Sequence, residues 1–325
     1  MKHVTCLLCE GSQRERLLTN TQDPFGKRIG STHTCYDICT NCGFVYQNPK
    51  LESHEIESLY SRDYYDRAEQ NVSDKYIQKK DEYASQSFNW IAGQIPVRQP
   101  SPGFTVLDIG SNTGAFLSLF VQAGWEGHGV EPSKNMSDIA RKHYDLEQIH
   151  IQLFQKGTFP DQTFNLVTLL HTLEHLENPG EILTDIREVL RPDGYLYVEV
   201  PDIYHPKSAF YTSYFAAPHL YTFSQTSLTR LLAKHGFRVV AQGHVPRGIC
   251  VLARMTEPHT LTQTDNHETI QKIIQNYKRQ HDRDAFLYKY IANSIPMRVL
   301  MKMCIPWLSK TFVRWRERVR VNKII

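Results

Sequence analysis

The sequence predicts a doubly wound α/β protein: a mainly parallel, seven-stranded sheet, with a small cysteine-bearing segment before it and a helical extension after it. Three observations carry this. Strand-like and helix-like apolar runs alternate regularly between residues 104 and 255. Two Cys-x-x-Cys pairs stand within the first 42 residues, and beyond residue 257 the alternation stops. The chain therefore divides into residues 1–50, a helical linker at 51–100, the α/β unit at 101–257 and an extension at 258–325.

The 325 residues are 41% hydrophobic and 22% charged, enough to bury a substantial core. The start "MKHVTCLLCE" has no apolar core behind a basic residue, and no window reads as a membrane span, so a cytoplasmic protein is expected. A net charge of +3 gives no reason to expect a nucleic-acid partner.

Cys6 and Cys9 in "CLLCE" and Cys39 and Cys42 in "CTNCGF" are paired in the way that points two thiolates at one tetrahedral cation. Together they predict a four-cysteine structural zinc site, with all positions filled by protein and none open for chemistry. Gly43 lets the chain turn sharply after the second pair. In the linker, Ile56, Leu59, Tyr60, Tyr76, Ile77, Tyr83, Phe88 and Ile91 are spaced for amphipathic helices. Tyr60, Tyr64 and Tyr65 fit either an interface or a pocket wall.

Within the α/β unit, "FTVLDIG" reads as the first strand, "GAFLSLFVQAG" as a helix closed by Gly124, and "WEGHGVEPS" as a second strand ending at Glu131. "SDIARKHY" is a helix, and "QIHIQLF" and "FNLVTLLHTL" are the next two strands. "NPGEILTDIREVLRPDG" is a helix from an Asn cap to a Pro/Gly stop, and "YLYVEVP" is the fifth strand. "SQTSLTRLLAKHG" is a Ser-capped helix, and "FRVVAQG" and "GICVLARM" complete the sheet.

Ligands of such sheets bind outside the carboxyl ends of the strands, where "LDIGSNTGAF" falls. The loop lacks the Gly-Lys-Ser/Thr ending of a triphosphate loop, and Asn112 stands where a dinucleotide fingerprint has its second glycine. Asp108 would repel pyrophosphate but suits an ammonium. Glu131, 23 residues later, is placed to accept ribose hydroxyls. A ribose without pyrophosphate, joined to an amino acid, describes S-adenosylmethionine.

"LDIGSNTGAFL", "GVEPS", "FPDQTFNLVTLLHTLEHLENP" and "VLRPDGYLYVEVP" together resemble the class I S-adenosylmethionine-dependent methyltransferases, which have a Rossmann-like fold. The resemblance implies that Asp108, Gly110, Asn112 and Gly114 surround the methionine part and that Glu131 binds the ribose. It also implies that His171 lies near the cofactor and that Gln152 to Phe154 approach the adenine. Asn165 departs from the family, where Asp is frequent. The paired cysteines, "CGFVYQNP", "LYSRDYY" and "HLYTFSQTSLTRLLAKHGF" resemble the zinc-containing subgroup that includes deoxysugar C-methyltransferases. That likeness implies a small-molecule acceptor containing a sugar, with a phenolic, quinone or lipid-linked acceptor as the alternative. A zinc-bearing interaction module on a degenerate fold is the non-enzymatic alternative.

Histidine titrates in the range useful for removing the acceptor proton, and His175 and His219 fall in loops at strand ends. In the C-methyltransferases a Glu-His pair serves proton abstraction at the second position, whereas Pro218 precedes His219 here. That departure leaves O- or N-methyl transfer with His219 as base. Glu174 and His175 also resemble the pair that holds a divalent cation in ubiquinone-type O-methyltransferases, and are expected to shape the pocket. Finally, residues 298–325 carry eight Lys or Arg against Glu317 alone. This apolar and basic segment fits an anionic membrane surface, the catalytic domain or a dimer seam.

Overall fold

The computed structural model describes residues 1–23, 33–60, 72–98, 102–206 and 210–294. Tyr64, Tyr65, the side chain of Tyr60, Cys304 and the basic segment from Arg298 lie outside the described residues. The chain begins with β1 (Arg14–Asn20), β2 (Thr34–Cys39) and β3 (Val45–Gln47), followed by α1 (Ser53–Tyr60) and α2 (Asp74–Ala92). Ser73 caps α2 by accepting from the Tyr76 amide.

The α/β unit follows as β4 (Thr105–Ile109), α3 (Ala115–Gln122), β5 (Glu126–Val130), α4 (Lys134–Tyr144), β6 (Ile149–His150), β7 (Phe164–Leu170), α5 (Pro179–Val189) and β8 (Leu190–Val200). After β9 (Tyr221–Thr222) come α6 (Gln225–Lys234), β10 (Phe237–Val245), β11 (Gly248–Met255) and α7 (His267–Ser294). Two boundaries differ from the sequence reading. The third strand shrinks to Ile149–His150, and α5 stops at Val189 rather than at the Pro/Gly pair. Pro192 disfavours a helical Arg191, so the chain is already extended at Leu190 and β8 starts there. Asn178 does precede α5, but its side chain makes no capping bond.

The seven-stranded sheet has the order β10-β11-β8-β7-β4-β5-β6. Strands β8, β7, β4, β5 and β6 pair in parallel, while β11 runs antiparallel to both neighbours. Strand β4 pairs with β5 on one side and β7 on the other, so successive crossovers leave in opposite directions and open a crevice at its carboxyl end. Period-two alternation divides the core. Leu107, Val167 and Val198 face α5 and α6 on one side, while Val106, Leu166 and Tyr197 face α2 and α3 on the other. Each fully buried side chain of this size contributes about 1.5–3 kcal/mol.

A second, antiparallel sheet has the order β1-β2-β3-β9. Its last strand comes from far along the chain, with Tyr221 and Thr222 pairing with Tyr46 and Val45. This non-local pairing fastens the cysteine-bearing segment to the segment preceding α6. Helix α7 buries Ile270 and Ile274 in a cluster with Leu18, Tyr36 and Phe215. Among the described residues no helix is long and apolar enough to cross a membrane.

Candidate active site

The turn after β4 has the geometry its residue types demand. Gly110, Asn112 and Gly114 all take positive φ, at 76°, 50° and 80°. A Cβ on Gly110 would meet Thr172 Oγ1 at 2.5 Å, and one on Gly114 would meet Leu146 at 2.5 Å. Both glycines are thus fixed by close packing as well as by backbone conformation.

Asp108 is 2% exposed and accepts a hydrogen bond from Thr168 Oγ1 at 2.7 Å. Burial pushes its carboxyl up to about 7; the Thr168 bond opposes the shift and the charge of Glu131 adds to it. A carboxylate in this condition is stabilised by a neighbouring cation such as an ammonium. Glu131 accepts from the amides of Asn112 at 2.9 Å and Ser133 at 2.8 Å. Burial raises it too, against those two bonds and the charge of Lys80. Each of its oxygens retains a lone pair for a further donor.

Ser111 Oγ and Asn112 Oδ1 are buried without a hydrogen-bond partner. Orphaned polar atoms beside two buried acids fit a ligand carrying an ammonium and hydroxyls, and hence S-adenosylmethionine. The Gln152–Phe154 stretch follows β6 on the same rim, with Phe154 buried.

The next turn starts at His171, a non-glycine residue at φ 51°. Thr172 holds it to the first turn by donating to the Ile109 carbonyl at 3.1 Å. His171 does not simply face the crevice. Its Nε2 donates to Glu199 Oε1 at 3.0 Å, and its Nδ1 lies 3.5 Å from Glu174 Oε1. Burial disfavours its charge, but the pull of Glu174 and Glu199 outweighs burial and raises it. Glu199 also accepts from Ser87 at 2.6 Å and Tyr197 at 3.0 Å. The sequence reading did not single out Glu199; the signal was an acid inside the apolar strand "YLYVEV".

Glu174, His175 and His219 converge, with one ligand atom of each within 4.8 Å of the others. His175 donates from Nδ1 to the Pro218 carbonyl at 2.8 Å, and His219 from Nδ1 to the Tyr214 carbonyl at 2.9 Å. Each bond fixes the tautomer, so in the neutral rings Nε2 bears a lone pair. Burial and the nearby His175 push His219 down to about 3, keeping it neutral. Glu174 is 1% exposed, and neither carboxylate oxygen has a hydrogen-bond partner. Burial would raise it, but the flanking histidines, His171 first, hold it down to about 2. The cluster therefore presents acceptors, and it calls for a proton-bearing group or a cation.

The small sheet frames this cluster. Tyr36 donates toward the carbonyls of Ala216 at 2.7 Å and His219 at 2.9 Å. Asn20 Nδ2 donates to the carbonyls of Tyr211 and Phe215, Gln47 to that of Ala217, and Asp23 accepts from the Ala217 amide. Behind it, Cys6 and Cys42 lie 3.5 Å apart, as do Cys9 and Cys39, with all four sulfurs within 4.8 Å of one another. A tetrahedral ion with bonds of about 2.3 Å spaces its sulfurs by about 3.8 Å, so the set fits zinc. Cys35 is apart from it, beside Thr19, and Cys250 is buried in the core.

Comparison with known proteins shows the family. A family model described as a methyltransferase domain matches residues 58–242. The chain belongs to this family and is a class I S-adenosylmethionine-dependent methyltransferase by lineage. It is 33% identical over 144 residues to the C-methyltransferase NovU of Streptomyces niveus, covering 42% of this chain and 34% of that protein. It is 28% identical over 151 residues to the mitochondrial ubiquinone biosynthesis O-methyltransferase of Schizosaccharomyces pombe, covering 43% of this chain and 47% of that one. The chain thus spans less than half the length of either relative. A Burkholderia thailandensis 1,6-didemethyltoxoflavin-N1-methyltransferase structure superposes with a TM-score of 0.49 at 19% identity, over 66% of this chain and 96% of that one.

Proposed function

We propose that the protein transfers the methyl group of S-adenosylmethionine to a hydroxyl of a sugar-containing small molecule. The observation that carries this is the acceptor-only cluster of Glu174, His175 and His219, joined through Thr172 to the glycine turn. Bound S-adenosylmethionine supplies a methyl on a positively charged sulfur. Asp108 holds its ammonium, Glu131 its ribose hydroxyls, and Gly110, Asn112 and Gly114 the space between. With the methyl donor in place, His219 Nε2 would take the proton of the acceptor hydroxyl, and the buried Glu174 carboxylate beside it would stabilise the imidazolium against the burial that otherwise disfavours it. His175 and Glu174 orient the hydroxyl. His171, held between two carboxylates, fixes Glu174. Cys6, Cys9, Cys39 and Cys42 hold a structural zinc that stiffens the frame around His219.

One observation favours a second reading of the cluster. A buried carboxylate whose Oε1 is met by the long His171 contact, grouped with two histidines, also suits a divalent cation that would bind the acceptor oxygen. Incubation with methyl-labelled S-adenosylmethionine and separate panels of sugar nucleotides and phenols tests the proposal. Label on a sugar oxygen is expected, and label confined to phenols or carbon would overturn it. Activity unchanged by added Mg2+ or Mn2+, in protein whose four-cysteine site keeps its zinc, would set the cation reading aside and leave proton removal to the histidine pair.

A further inference from the structure

Among the described residues a further group of metal-competent side chains is separate from the Glu174, His175 and His219 cluster. Asp202, just after β8, His205, and His244 on β10 place one ligand atom each within 4.8 Å of the others. We propose that they form an exchangeable transition-metal site, for Zn2+ or a similarly borderline divalent ion, which clasps the segment after β8 to the edge strand β10.

The geometry is that of a turn plus a hairpin. Asp202 and His205 stand three residues apart in a turn closed by the His205 amide donating to the Asp202 carbonyl at 3.2 Å. His244 comes from the other side, opposite Ile249 in the β10–β11 register. Asp202 is 5% exposed; its Oδ1 is used by the Tyr204 amide at 2.9 Å. Its Oδ2 faces both imidazoles, 2.6 Å from His205 Nδ1 and 3.8 Å from His244 Nε2. A tetrahedral ion with bonds of about 2.0–2.2 Å spaces its ligand atoms by about 3.4 Å, between the two observed separations. The histidine side chains are 67% and 69% exposed, so both rings have room to make that adjustment.

The chemistry selects the ion. A buried carboxylate is costly without a positive partner, and the ion pairs of Asp202 among the described residues are with these two histidines. Two imidazole nitrogens and one carboxylate oxygen favour Zn2+, Co2+ or Ni2+ over Mg2+ or Ca2+. Three protein ligands leave a position for water, which distinguishes the site from the closed four-cysteine cluster. The clasped segment leads toward Phe210–Tyr214 and the carbonyls that orient His219 and His175, so the ion would brace one wall of the acceptor site.

The test uses the full-length protein with its cysteine cluster filled by zinc, titrated with Co2+ and followed by visible absorption and equilibrium dialysis. Glu174→Gln serves as the parent, which takes the carboxylate ligand out of the other cluster and weakens it as a competitor. The parent is expected to bind one Co2+ per chain with the weak absorption of nitrogen and oxygen ligands. Adding His205→Ala and His244→Ala should abolish that binding without changing the circular dichroism or melting temperature. Equal Co2+ binding by the two proteins, including no binding by either, would overturn the proposal.

Discussion

His219→Ala is expected to lower methyl transfer by about 10²–10⁴-fold, the range associated with a positioned general base. S-adenosylmethionine affinity should be unchanged, because Asp108 lies on β4 and Glu131 directly after β5, whereas His219 is carried by the segment before β9. The variant removes the ring that is fixed through Nδ1 on the Tyr214 carbonyl and grouped with Glu174 and His175. Single-turnover rates and calorimetric titration of the cofactor separate the two effects. Near-normal turnover would exclude His219 from proton transfer and shift the role to His175 or a bound cation.

Cys39→Ser is expected to have the largest effect on stability. It removes one of four sulfurs, at the end of β2, and with it the closed shell proposed for zinc. Structural zinc couples its binding energy to folding, so loss of about 3–5 kcal/mol, or about 10 °C in melting temperature for a chain of this size, is the expected scale. Because Asn20, Asp23, Tyr36 and Gln47 hold the His219 segment, turnover should fall in parallel. Zinc content by mass spectrometry and thermal melts check this. A variant that keeps the wild-type melting temperature while lacking zinc would show that hydrogen bonds alone hold the small sheet.

The candidate cofactor turn was legible in the sequence because it is local: Asp108, the glycine turn and Glu131 lie within 24 residues, and each residue type has a backbone or charge reason for its place. The four cysteines were legible for the same reason, since paired spacing carries the ligand geometry within each turn. What the sequence did not reveal depends on distant segments meeting. Tyr221 and Thr222 complete the small sheet, Asp265 joins Ser224 and Tyr204, and Glu199 braces His171. His205 and His244 are 39 residues apart and meet only because β10 runs along the sheet edge beyond β8 and β11. The positive φ of His171 was equally invisible, since a histidine in a turn gives no signal of the left-handed region.

The most direct measurement is calorimetric titration of S-adenosylmethionine into the wild-type protein and into Glu131→Ala. Saturable binding at one site per chain is expected for the wild type. For the variant, loss of the carboxylate proposed to bond the ribose should weaken binding by about 10–100-fold, since a hydrogen bond to a charged group contributes about 1.5–3 kcal/mol. No binding by the wild type, or equal affinity of the two proteins, would contradict the assignment of the β4 and β5 strand ends as the methyl-donor site.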